Sequence, residues 1–195
     1  MDADGLSSAD LVWAVATTAE ERVAKRLGLN TVRVGVCVAN GVPDGSLVSF
    51  GLAGSLGKLQ VGDVLDATRV VDESGATLWE GPGLGVRGAR AGTVLGGDVL
   101  VHDAAERARL RAASGADAVD MESGVLARSG RLAGVVRAIS DGVDSDVEGV
   151  DRTVRSDGRT DVVGLVRWLA TKRGAAVRSM RDAVFALRAL ERALA

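Results

Sequence analysis

The chain has no tyrosine, and its three tryptophans and two phenylalanines bring aromatics to only 3% of 195 residues. Any wall that stacks on a flat ligand must therefore be built largely from aliphatic side chains. One cysteine, Cys37, excludes an internal disulfide framework and suits a reducing, cytoplasmic setting. The single histidine, His102, reads as a helix-start residue, and no Ser/His/Asp or Cys/His catalytic set can be assembled around it. No apolar run approaches the roughly 18–20 residues that a membrane span requires. The opening Met1-Asp2-Ala3-Asp4-Gly5 is acidic and lacks the basic segment of a signal peptide. A formal net charge of −2 gives no reason to expect nucleic acid as a partner.

What is present is apolar content. At 47% hydrophobic residues and a mean hydropathy of +0.18, residues 1–195 can bury a core as one domain. Leu11–Ala16 reads as a buried strand, and Thr17 or Thr18 can cap a helix over Glu20–Leu27 that Gly28 ends. Alternation through Val32, Val34, Val36 and Val38 predicts a strand. A tight, hairpin-like connection over Ala39–Ser46 then leads to a strand at Leu47–Phe50 and a glycine-rich loop at Gly51–Gly57. Further strands are predicted at Val61–Asp66, Arg69–Asp72 and Thr93–Val101, with a loop over Glu80–Gly92 between them. A helix is expected from His102-Asp103 to about Ala113. Gly83-Leu84-Gly85-Val86-Arg87-Gly88 fits G-x-G-x-x-G but lacks a strand before it and a helix after it, so it is set aside as a dinucleotide site.

The most informative stretch is 118–141. Ala118-Val119 ends a short strand, Asp120-Met121-Glu122 places two acids at a helix start, and Gly130 closes that helix. An apolar run, Gly134–Ile139, then ends in Ser140-Asp141-Gly142, which also suits an ordinary turn. Residues 142–158 are polar and read as a mobile loop, followed by a helix over Asp161–Lys172. In the last helix Val177, Met180, Val184, Leu187, Leu190 and Leu194 predict a core-facing stripe, opposite Arg178, Arg181, Arg188 and Arg192. The alternative is a helix lying on an anionic membrane surface.

Val119-Asp120-Met121-Glu122-Ser123, followed by Arg137-Ala138-Ile139-Ser140-Asp141-Gly142, resembles the paired signature of the nucleoside phosphorylase/nucleosidase superfamily. Phe50–Leu56 with Val61-Gly62-Asp63-Val64 resembles its glycine-rich loop, and Gly96–His102 its base-pocket strand. The tail from Ser156 looks most like the hopanoid-associated branch. The resemblance implies a three-layer α/β/α domain with a central mixed, twisted sheet, here lacking the helix usual near residues 39–46. It implies cleavage of the N-glycosidic bond of a purine nucleoside-like substrate, with adenine released. The substrate would be an adenosyl-hopanoid lipid or of the methylthioadenosine/adenosylhomocysteine type.

By the same resemblance Asp141 is the acid that serves the purine N7, after an apolar strand that suits such a carboxyl. Glu122 accepts the ribose hydroxyls through oxygens that are acceptors only, Met121 packs on the sugar, and Asp120 is a capping or scaffold residue. Glu20 or Glu21 is the water-orienting base, with Glu20 preferred because it lies nearer the strand end. Ala53, Gly54, Leu100, Val101 and Ser140 would complete the pocket. No cofactor is implied, although phosphate would be a co-substrate in a phosphorylase. The absence of Arg near Leu52-Ala53-Gly54 favours water, because a phosphate dianion needs charged donors. The rival readings are a phosphorylase and a degenerate nucleoside-binding relative. A homo-oligomer is expected, and the last helix is the candidate for peripheral membrane contact.

Overall fold

A capping box starts the first helix. In the computed structural model, which describes residues 10–97, 101, 103–143, 145, 154–161 and 173–195, strand β1 (Leu11–Val15) leads into helix α1 (Thr18–Arg26). Thr17 Oγ1 accepts from the Glu20 amide at 3.3 Å, and the Glu20 carboxylate accepts from the Thr17 amide at 2.8 Å. Two amides that a helix start leaves unpaired are thereby satisfied. Gly28, at φ +73°, stops the helix as expected.

Among the described residues the remaining strands and α-helices in chain order are β2 (Thr31–Arg33), β3 (Ser46–Ser55), β4 (Val64–Val71), β5 (Thr77–Glu80), β6 (Arg90–Gly96), α2 (Ala104–Ser114), β7 (Ala118–Asp120), α3 (Ser123–Arg128), β8 (Leu132–Asp141) and α4 (Arg173–Leu194). The strands form one mixed sheet. β2, β1 and β3 run parallel, and β3 pairs in parallel with β8. β8 pairs antiparallel with β4, β4 parallel with β6, β6 parallel with β7, and β7 antiparallel with the end of β3. Five strands thus close into a ring around the interior, with β2–β1 and β5 as extensions.

Both faces of the sheet are covered, so its strands read as nearly continuous apolar runs. Trp13, Val15, Val48, Phe50, Val136 and Ala138 pack on the side of α1 and α4. Ala14, Leu47, Val135 and Ile139 pack on the opposite side with Leu126 and Ala127 of α3. The expected mixed α/β architecture is observed.

Several local expectations are corrected. The strand expected over Val32–Val38 ends at Arg33, and Val36–Val38 form a single 3-10 turn with Cys37 and Val38 at φ +51° and +58°. The link to β3 is not a hairpin, because β2 and β3 flank β1 in parallel. Early termination of β2 frees residues 34–45, about the dozen that a parallel crossover needs without a helix. The glycine-rich segment is not a loop down to Ser55 but the second half of β3. Val61–Asp66 and Arg69–Asp72 belong to one strand, β4. β6 begins at Arg90 and ends at Gly96, earlier than expected at both ends. The glycines of 83–88 serve a different purpose from a phosphate cradle: the amides of Leu84 and Val86 converge on the buried Asp66 carboxylate at 2.9–3.0 Å.

The stripe expected on α4 faces the core only in part. Ala176, Ala186 and Leu190 are fully buried, whereas Val177, Met180 and Val184 are 61%, 41% and 48% exposed. Small alanines set the contact face and let the helix lie close to the sheet, which rotates the valine–methionine line outward. Residues 162–172 of the expected further helix, and residues 144 and 146–153 of the expected mobile loop, lie outside the described residues.

Candidate active site

Strand β3 is the neighbour that the two acidic segments share. Its residue Gly54 pairs with Asp141 of β8 on one side and with Val119 of β7 on the other. Register alone therefore brings Asp120-Met121-Glu122 and Ser140-Asp141 together across the end of one strand. The β3/β8 register slips between Ala53 and Gly54, leaving Ser140 as an extra residue. Successive residues of a regular strand point to opposite faces; the bulge lets Ser140 and Asp141 line one cavity.

That cavity has a volume of about 360 Å³ and a mostly apolar wall. Of the residues expected at the site, Glu20, Ala53, Gly54, Val101, Met121, Glu122, Ser140 and Asp141 all line it, together with Leu52. Leu100 and His102 lie outside the described residues. Glu21 is directed elsewhere, into ion pairs with Lys25 at 2.7 Å and Arg33 at 2.9 Å. Met180, Ala183 and Leu187 of α4 complete the apolar side.

Glu20 is almost entirely buried and holds four donors. Its Oε2 accepts from the amides of Ala16 and Thr17 and from Thr17 Oγ1 at 2.8–3.1 Å, and its Oε1 accepts from the Leu52 amide at 2.9 Å. The same carboxylate thus caps α1 and ties it to β3. Gly51 is the residue that permits this: a β-carbon there would collide with Glu20 Oε1 and approach Arg137 Nη1 to 2.6 Å. Gly51→Ala is expected to cost about 1–3 kcal/mol of stability through overpacking. Urea denaturation checks it, and an unchanged midpoint would show that Glu20 is not confined there.

Arg137 is the hub of the acidic group. Its Nε lies 2.6 Å from Asp120 Oδ2, its Nη2 donates to Ser49 Oγ at 2.6 Å, and its Nη2 is 3.5 Å from Glu122 Oε2. Burial alone would lower the Arg137 pKa, but Asp120, Glu122 and Glu20 together raise it above its ordinary value, so it stays charged. Asp120 also accepts from the amides of Glu122 and Ser123 at 3.2 and 2.9 Å and from Ser123 Oγ. It is a capping and scaffold group, with no oxygen left over.

Glu122 accepts from the Cys37 amide at 3.2 Å. That amide is delivered by the left-handed turn at Cys37-Val38, an uncommon conformation for a β-branched residue such as Val38. The crossover thus supplies a wall of the pocket, through Val36, rather than deleting one. The Glu122 pKa is pushed up to about 8, chiefly by desolvation; Arg137 pulls it down, and Asp120 and Glu20 push it further up. The folded protein therefore holds a proton that the unfolded chain, with the ordinary carboxyl pKa of 4.5, has released. The stabilisation is full below about pH 4.5 and is lost as pH rises through about 8. Glu122→Gln is expected to flatten the fall in melting temperature between pH 5 and 8.5. An identical slope in the variant would refute the assignment.

Asp141 differs from the sequence expectation of a carboxyl in an apolar setting. It is 14% exposed and ion-paired with Arg107 at 2.5 Å, and its Oδ1 accepts from Ser140 Oγ at 2.7 Å. Sequence reasoning missed Arg107 and assigned nothing to Arg137. A signal existed for Arg137, because a lone arginine inside Val135–Ile139 must find buried partners. None existed for Arg107, one of three arginines at alternate positions on α2. Among the described residues no group of three His, Cys, Asp or Glu side chains is arranged to hold a metal ion, and no helix is long and apolar enough to cross a membrane.

No family model matches the sequence, and no curated protein matches it either. Solved structures do. A mutant 5'-methylthioadenosine nucleosidase of Helicobacter pylori, with 5'-methylthioadenosine in its active site, matches with a TM-score of 0.57 at 17% identity, covering 91% of this chain and 99% of that one. The Campylobacter jejuni 5'-methylthioadenosine/S-adenosyl homocysteine nucleosidase matches at 0.56 and 16%, covering 94% and 99%. A futalosine hydrolase mutant of Helicobacter pylori matches at 0.55 and 16%, covering 89% and 97%. At such low identities the likeness establishes a shared fold.

Proposed function

We propose that the protein is a nucleosidase that uses water to cleave the N-glycosidic bond of a purine nucleoside-like substrate and release adenine. The observation that carries this reading is the convergence of Glu20, from the start of the chain, with Glu122 and Asp141 on one cavity of about 360 Å³. In the reaction the C1'–N9 bond breaks with its electron pair moving to the base. Asp141 delivers a proton taken up from solvent to N7, through the oxygen not held by Arg107, and the sugar becomes oxocarbenium-like. Glu122 hydrogen-bonds the ribose hydroxyls through its carboxyl oxygens, and Met121 packs against the ring. Water adds to C1', and its proton passes to Glu20. Ala53, Gly54, Val101 and Ser140 line the walls, and an aliphatic surface takes the part of an aromatic stacking platform. No cofactor enters these steps.

Water is favoured over phosphate because Arg107, which lines the cavity, and Arg137, behind its acids, are already paired with carboxylates. β3 also presents Leu52-Ala53-Gly54 as an extended strand rather than an anion-binding turn. A second reading, a nucleoside-binding protein without turnover, is favoured by Glu20, whose oxygens hold four donors before any water arrives. The apolar side formed by Met180, Ala183 and Leu187 suits a substrate with an apolar 5' substituent, from methylthioadenosine to an adenosyl-hopanoid lipid. Exposed Val177, Met180 and Val184 beside Arg178 and Arg181 suit either a second subunit or an anionic membrane surface. The setting we assign is the cytoplasm.

The test is adenine release from adenosine, methylthioadenosine, adenosylhomocysteine and an adenosyl-hopanoid, with and without phosphate. Phosphate-independent release is expected, and the preferred substrate fixes the 5' group. Strict dependence on phosphate would select a phosphorylase. Binding without release by the folded protein would select the second reading.

A further inference from the structure

Arg107 is 1% exposed and lies on α2, 34 residues before Asp141. Its guanidinium is fixed by two backbone carbonyls, Nη1 to Ser55 O at 2.8 Å and Nη2 to Val101 O at 2.9 Å. Those carbonyls belong to the end of β3 and to the segment after β6, so the fork is set by the sheet before it meets any side chain. Among the described residues its one carboxylate partner is Asp141, through Oδ2. The other oxygen, Oδ1, is held by the Ser140 hydroxyl. Gly54 provides the floor: a β-carbon there would lie 2.8 Å from Asp141 Oδ2 and 3.0 Å from Arg107 Nη1. A buried guanidinium that only stabilised the fold could be satisfied by carbonyls alone. This one turns the second donor of Nη2 to the carboxylate that lines the cavity, while its buried Nε has no hydrogen-bond partner among the described residues.

We propose that Arg107 is a positioning residue for Asp141, resting on the nucleosidase reading above. By gripping Oδ2 it fixes the carboxyl plane, so that Oδ1, with the Ser140 hydroxyl beside it, is the oxygen that meets the leaving base. The arginine touches neither base nor sugar. Its effect passes entirely through Asp141.

The experiment is a double-mutant cycle of Arg107→Gln and Asp141→Asn on the full chain, with Arg107→Lys as the conservative variant. Adenine release and adenine affinity by calorimetry are both read, and thermal melts report folding. Arg107→Gln is expected to lower kcat by about 10–100-fold, the scale of a misplaced reacting group, with KM within about threefold. In the Asp141→Asn background the same change is expected to add almost nothing, and Arg107→Lys is expected to recover part of the loss. If Arg107→Gln does not fold, the cycle is run with Arg107→Lys, where the same non-additivity is expected. Additive losses, or equal losses in kcat and affinity with no recovery by lysine, would show a structural role and overturn the proposal alone. A folded native chain that neither releases nor binds adenine would overturn the nucleosidase reading, and this proposal with it.

Discussion

Asp141→Asn is expected to reduce adenine release by about 10²–10⁴-fold, the range spanned by loss of a positioned general acid or base. Asparagine has nearly the same shape and keeps an acceptor for Arg107 and a partner for the Ser140 hydroxyl, but it has no proton to give to the leaving base. Ground-state affinity for a nucleoside is expected to change by less than about tenfold, because the substituted group acts mainly on the transition state. Stability is expected to fall as well. Among the described residues the carboxylate is the one charged partner of a buried guanidinium, and uncompensated buried charge is costly. Melting curves and initial rates on the same preparations separate the two effects. A folded variant with a rate within threefold of the native chain would remove Asp141 from the reaction.

The largest effect on stability is expected at Arg137. Arg137→Met would leave Asp120 and Glu122, both buried, without the guanidinium that lies 2.6 and 3.5 Å away. Breaking a buried ion pair by removing one member costs about 3–5 kcal/mol, and here Ser49 Oγ also loses its donor at 2.6 Å. Urea denaturation at pH 7 checks this through the shift in midpoint. Combining Arg137→Met with Asp120→Asn is expected to recover part of the loss, since the second change removes a stranded charge and keeps an acceptor for the amides at the start of α3. No recovery in the double variant, or a loss below about 1 kcal/mol, would mean that the cluster is not held by its charges.

Much of the fold could be read from local chemistry. Thr17 and Glu20 announce α1, Gly28 and Gly130 stop their helices, and the acids at 120–122 and 140–141 do fall at strand ends. The failures share a cause, which is that the deciding contact lies far along the chain. Gly51 and Gly54 look like loop residues. They stand in a strand because Glu20, Arg137, Asp141 and Arg107 occupy the space that a side chain would need. Alternating valines through Val38 look like a strand, yet the Cys37 amide turns instead toward Glu122, 85 residues away. The apolar line on α4 has helical period, but alanines decide which side packs, and sequence alone weights them too lightly. The choice between Glu20 and Glu21 was open in the sequence. In the structure Glu20 lines the cavity and Glu21 is engaged by Lys25 and Arg33.

Catalysis with water as the nucleophile is the centre of the account, and isotope labelling tests it most directly. The native chain is incubated with methylthioadenosine in ¹⁸O-enriched water containing phosphate, and the sugar product is analysed by mass spectrometry. Free methylthioribose carrying ¹⁸O at C1, with adenine in equal amount, is the predicted result. A sugar 1-phosphate without the label, or no adenine from a folded protein that binds the nucleoside, would contradict it.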